Sequence, residues 1–193
     1  MKRSLRSSGL SSLIAASGLD ASGAGAPGSD PEYRFEAERT IEAMATTLAR
    51  LHATAVPDHL RFDPEMVVAP VSLVDAAEHG TGEPGHAYRH LSRDRLVEIL
   101  RSGTPPQPPP EQLVLCHGRP TFEHLRFQGP TPLGFDDWSL AGLADLHLDL
   151  AAAARDLVAR FGPAPIHAFF EHYAAHRPDP VRLDWYLLAA ELS

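Results

Sequence analysis

The stretch Leu113-Val114-Leu115-Cys116-His117-Gly118-Arg119-Pro120-Thr121-Phe122-Glu123-His124, followed by Gly134-Phe135-Asp136-Asp137-Trp138, decides the reading of this chain. Leu113 to Cys116 is a short apolar run that follows the proline-rich stretch Thr104 to Pro110. Proline denies a helix interior its amide donor and is kept out of central strands, so 104–110 reads as an exposed connection and 113–116 as a short buried strand. A second apolar run, Leu133 to Phe135, enters Asp136-Asp137-Trp138 directly after the Gly129-Pro130 turn. Two short strands joined by a loop bring His117, Arg119, His124, Asp136 and Asp137 to adjacent strand ends. Convergence of ionisable groups at such a place is where sites are built.

Outward from this centre the pattern is helical. Phe35, Ile41, Met44, Leu48 and Leu51 recur at helical intervals in a stretch, Glu32 to His52, that holds neither Gly nor Pro, and predict one helix there. His90 to Arg101 predicts a second, with Ser92 as N-cap and Gly103 just past its end. Leu148 to Arg160, Ile166 to His176 and Pro180 to Leu192 predict three more, the last begun by Pro180 after Asp179. Pro57 to Gly85 is irregular, with a short strand or helix between Glu65 and Ala77, and the His-rich, Gly-rich segment from His79 to His90 reads as a loop. Residues 1–30 are mostly Ser, Gly and Ala, too poor in large apolar groups to offset the entropy of ordering. They are expected to form a low-complexity, mostly disordered tail with at most one short helix, and residues 31–193 the folded domain.

A length of 193 residues suits one domain with a real core. The net charge of -8 argues against a nucleic-acid footprint. Cys116 is the single cysteine, which excludes an internal disulfide and a multi-cysteine zinc site and fits a reducing, cytoplasmic setting. Lys2, Arg3 and Arg6 ahead of Leu10 to Leu19 have the charge order of a secretory leader, but Ser11, Ser12, Ser17 and Gly18 interrupt its apolar centre. No run is long enough to span a bilayer, so no membrane partner is expected.

The central stretch resembles the catalytic and metal-binding loops of the aminoglycoside phosphotransferase family, antibiotic kinases with a protein-kinase-like fold, whose pattern is His-Gly-Asp, four residues, Asn, and later Ile-Asp-Trp-Gly. The resemblance continues through Ala141-Gly142-Leu143-Ala144-Asp145 and Asp149-Leu150-Ala151, takes in Leu48 to His52, and closes on Pro178-Asp179-Pro180 and the final helix. It implies a mainly α (α+β) fold, the C-terminal lobe of a kinase, with helices around a short hairpin-like catalytic and metal loop. Family members also have a preceding β-rich lobe with a phosphate-covering loop and a lysine. Residues 1–30 show no strand pattern and Lys2 is the sole lysine, so the N-terminal β lobe is expected to be absent.

The departures bear on activity. Arg119 stands where the family's catalytic Asp would accept the substrate proton, and a guanidinium cannot accept one. His124 replaces the metal-holding Asn, while Asp137 matches the Mg-binding Asp. Arg119 either pairs with Asp137 or points to solvent. His124 with Asp137 could hold a metal, zinc or manganese before magnesium, or His124 could be a solvated side chain. By the resemblance His117 braces its loop and Asp149 anchors that loop from the interior. Glu191 and the Ser193 carboxylate remain at a helix end that meets substrate amines in the family, with Ala190 in the place of a partner acid. The expectation is a catalytically degenerate member, a pseudokinase, with magnesium and ATP as cofactors only if activity remains. The alternatives are an ATP-dependent small-molecule phosphotransferase completed by a partner, and a non-enzymatic binding or assembly module that associates with itself or a partner through the face left by the missing lobe.

Overall fold

The structure, a computed structural model, describes residues 2–34, 36–80, 88–174 and 177–192. In chain order the elements are α1 (Lys2–Ser17), β1 (Ala26–Pro27), α2 (Pro31–Arg34), α3 (Ala37–His52), α4 (Asp58–Arg61), α5 (Pro70–His79), α6 (Arg93–Ser102), β2 (Val114–Cys116), β3 (Leu125–Gln128), β4 (Thr131–Phe135), β5 (Gly142–Ala144), α7 (His147–Phe161), α8 (Ile166–Tyr173) and α9 (Pro180–Leu192). The fold is mainly helical with two small antiparallel sheets, ordered β1-β3-β4 and β2-β5. No helix among the described residues is long and apolar enough to cross a membrane.

The periodic segments fold as their spacing predicts. In α3, Ile41, Met44, Leu48 and Leu51 are buried along one face, which packs on α8 and β2. The Ser92 hydroxyl accepts from the Arg95 amide at the start of α6, and Gly103 follows its end. The Asp179 carboxylate caps α9, accepting from the amides of Val181 and Arg182. Gly162, with φ of +78°, stops α7.

Four expectations are corrected or narrowed. The helix predicted over Glu32 to His52 is two helices, α2 and α3, separated by the non-helical Glu36. Tyr33 causes the break: its ring stacks on Phe127 at 4.6 Å and its hydroxyl donates to the Gly129 carbonyl, so tertiary contacts override local propensity. The two central strands are not neighbours. β2 pairs with β5, which follows Asp137, while β4 pairs with β3 across the Gly129-Pro130 turn, with an irregularity between Arg126 and Phe127. The stretch from Glu65 to Ala77, left open between strand and helix, takes the helix: α5 begins at Pro70, and Val67 before it makes only an isolated bridge to Leu143.

The fourth correction concerns residues 1–30: from Leu13 to Gly28 the segment is built into the fold rather than a tail. Leu13, Leu19 and Ala21 are buried, and Leu13 and Leu19 belong to the main core. Phe135 and this segment exchange backbone hydrogen bonds, the Phe135 amide to the Leu19 carbonyl and the Ala21 amide to the Phe135 carbonyl, both at 2.8 Å. Gly134 makes this approach possible: its φ is +139°, and a Cβ there would sit 2.0 Å from the Leu19 carbonyl oxygen. The Arg126 guanidinium donates to the carbonyls of Ala24 and Gly25. The segment therefore covers both edges of the β3–β4 pair, β1 along β3 and Leu19 to Ala21 along β4, edges that would otherwise offer unpaired backbone groups.

The core has two parts. One gathers Leu19, Met44, Leu48, Leu115, Phe127, Phe135, Leu157 and Phe169; the other lies between α5, α6 and α9 around Leu96, Leu100, Trp185 and Leu192. Cys116 is fully buried at the end of β2, and burial pushes its thiol pKa up. The loop Thr104 to Pro110 runs along the surface as expected, with Pro108 alone buried in it.

Candidate functional site

The loop after β2 is held by two buried groups. Asp149, fully buried in the first turn of α7, accepts the amides of His117 and Gly118, both at 2.8 Å. Its Oδ2 also accepts from His52 Nε2 at 3.2 Å, and the Tyr173 hydroxyl donates to His52 Nδ1 at 2.8 Å. Gly118 turns the chain with φ of +89° and passes so close to the Leu140 carbonyl that a Cβ would lie 2.3 Å from it.

His117 ties this loop to the next. Its Nε2 lies 2.7 Å from the Asp136 carbonyl, which can only accept, so Nε2 carries the proton and Nδ1 accepts from the Arg119 amide at 3.3 Å. The imidazole is thus neutral with both nitrogens used. Burial pushes its pKa below the ordinary histidine value, against the pull of Asp149.

Asp137 stands in the left-handed region, φ 50° and ψ 66°, an arrangement that Asp tolerates better than most residues. Its Oδ1 accepts from the Ser139 amide and its Oδ2 from Arg119 Nη2 at 2.9 Å. The Ser139 hydrogen bond, then Arg119 and His124, hold the Asp137 carboxyl below its usual range. Both members of the Arg119–Asp137 pair are substantially exposed, 53% and 38% at the side chains, so the pair adds little to stability. Its consequence is that the carboxylate is occupied.

His124 turns to the other aspartate. Its Nδ1 is 3.0 Å from Asp136 Oδ1, Arg126 Nη1 is 3.4 Å from Asp136 Oδ2, and His124 Nε2 is 3.9 Å from Asp137 Oδ2. Two aspartates therefore face two arginines. Among the described residues no third imidazole, thiol or carboxylate completes a ligand group with His124 and Asp137. Magnesium demands a near-octahedral shell of oxygens, and one carboxylate with both oxygens engaged beside an imidazole does not fit it. The ligand atoms of His52, Cys116 and Asp149 do lie within 4.8 Å of one another. Those of His52 and Asp149 are spent on each other, on Tyr173 and on the loop amides.

Glu191 is paired with Arg155 at 3.1 Å, Ser193 and 81–87 of the His79 to His90 segment lie outside the described residues, and the helix predicted to reach His176 stops at Tyr173, where Ala174 turns left-handed with φ of 39°. The structure adds groups that the sequence reading left without a role. His52 is one: a polar residue on the buried stripe of α3 was the available signal. Asp20 is another, accepting from the Trp138 indole at 3.2 Å. A third is the cluster in which His147 Nδ1 donates to Asp145, its Nε2 accepts the Asp179 amide, and Arg182 reaches the second Asp145 oxygen. Burial works to raise the Asp145 pKa, yet His147 and Arg182 hold it below the ordinary value.

A model described as the phosphotransferase enzyme family matches residues 9–186. An aminoglycoside 3'-phosphotransferase from Streptomyces fradiae is 33% identical over 177 residues, 83% of this chain and 61% of that protein. One from Streptomyces ribosidificus is 30% identical over 184 residues, 86% of this chain and 65% of that protein. This chain thus spans less than two thirds of the length of these curated relatives. Among solved structures, aminoglycoside-3'-phosphotransferase of type VIII superposes with a TM-score of 0.64 at 23% identity, over 88% of this chain and 66% of that one. Aminoglycoside phosphotransferase APH(3'')-Id from Streptomyces rimosus gives 0.67 at 21%, over 87% and 66%. These two show a shared kinase-like fold.

Proposed function

Because the chain belongs to the phosphotransferase enzyme family, which includes the aminoglycoside phosphotransferases, we propose that it is a member in which an internal salt bridge has replaced metal and base, so that it binds ligands without transferring phosphate. The observation that carries this reading is the 2.9 Å contact between Arg119 Nη2 and Asp137 Oδ2. Arg119 sits where the family pattern has the carboxylate that takes the proton of the attacking hydroxyl, and a guanidinium is never free to take it. The same side chain puts its positive charge on the carboxylate that matches the metal-binding Asp. Loss of a general base and loss of a metal ligand each cost orders of magnitude in rate.

Calorimetric titration of the folded protein with ATP, in magnesium and then in manganese, tests it. The expected result is no saturable, metal-dependent binding by the native chain, and metal-dependent binding gained in Arg119→Asp. Metal-dependent ATP binding by the native chain, with phosphate transferred to an aminoglycoside, would overturn it. Retention of Asp137 favours a second reading, an ATP-dependent phosphotransferase completed by a partner chain. Turnover that appears with such a partner and vanishes in Asp137→Ala would support it.

A further inference from the structure

Between the loop that carries Arg119 and the helices α5, α7 and α9 lies a cavity of about 380 Å³, within the size range of small-molecule sites. Its wall is apolar, formed among others by Leu73 of α5, Leu140, Leu148 and Ala152 of α7, and Ala190 of α9. Leu140, at 52% exposure, continues the apolar surface outward. Arg119 is the one charged side chain among the described residues that line it. Only Nη2 of that guanidinium is engaged, by Asp137, so Nε and Nη1 have no protein acceptor among the described residues. The acids of the last helix, Asp184 and Glu191, are not in its wall, and Glu191 is paired with Arg155.

Among the described residues that line the cavity a polyamine would find no carboxylate, whereas an anionic head would find Nε and Nη1 of Arg119, the guanidinium donors that its pair with Asp137 leaves open. We infer that the cavity takes an amphipathic monoanion, with a carboxylate or related oxyanion at Arg119 and an apolar body against Leu73, Leu140 and Leu148. The inference shares with the proposed function only the position of Arg119; it needs neither nucleotide nor turnover.

Calorimetric titration of the intact chain with decanoate, decanol and decyltrimethylammonium, each below its micellar threshold, tests it. Decanoate is expected to bind at one saturable site, at least about tenfold tighter than decyltrimethylammonium, as a charge-assisted pair at Arg119 implies. Shortening decanoate to octanoate is expected to weaken it by about fourfold per buried methylene. Arg119→Gln should bring decanoate down to the affinity of decanol, and Ala152→Phe, which fills the cavity, should abolish all three. Should Ala152→Phe fail to fold, Leu140→Asp, at a half-exposed position, repels the anion at the rim and is expected to cost at least tenfold. Equal affinity for the anion and the cation, no saturable binding, or binding indifferent to Arg119→Gln would overturn the inference. Metal-dependent ATP binding with phosphate transfer to an aminoglycoside, alongside intact decanoate binding, would instead overturn the proposed function alone.

Discussion

Arg119 and His117 show how much one side chain decides here. The sequence sets the loops of Arg119 and Asp137 side by side and leaves the arginine two options, the carboxylate or solvent; the 2.9 Å contact is the first of these. His124 was less legible: its partner Asp136 is one residue from the expected Asp137, and only the turn of the backbone at Asp137 decides which carboxylate it meets. Asp149→Ala would leave the buried amides of His117 and Gly118 and the His52 ring without their acceptor, so a loss of about 3 to 5 kcal/mol is expected from urea unfolding. His117 adds a pH dependence whose sign is fixed. Its folded pKa is lowered, so the unfolded chain binds the proton more readily, and stability present above about pH 6.5 is lost as the pH falls from there toward the folded value. The melting temperature should therefore drop between pH 7.5 and 5.5. His117→Gln, though less stable at the start, should show a shallower slope over that window.

At the scale of elements, whatever carries its own periodicity was readable and whatever is held by distant partners was not. Helices α3, α6, α7 and α9 declare themselves through apolar spacing and caps. Strand β5 does not, because three residues have no period and its pairing with β2 spans the hairpin between them. Nor do residues 13–28, which belong to a segment with the composition of a solvated chain and take their order from β3, β4 and the core. Leu19→Ala tests that order directly. At a fully buried site it is expected to cost about 2 to 5 kcal/mol, whereas on a loose tail it would change the urea midpoint by nothing measurable. Gly134→Ala should be as damaging for a different reason, because the added methyl meets the Leu19 carbonyl and not a yielding side chain.

Across the whole molecule, two apolar clusters have a common spine. Helix α7 gives Leu150, Ala153 and Leu157 to one and Ala151 to the other, and Leu183 of α9 packs against both. Neither cluster can come apart without exposing a face of that shared helix, so a single calorimetric transition is expected, and Leu51→Ala and Leu100→Ala should lower the same peak. Two separate peaks would show the clusters to be independent. The interior position of Cys116 gives this unit a built-in stopwatch. A thiol reagent has one target, and it is sealed behind β5 and the loop of His117, so the rate of labelling counts how often the centre of the protein breathes open.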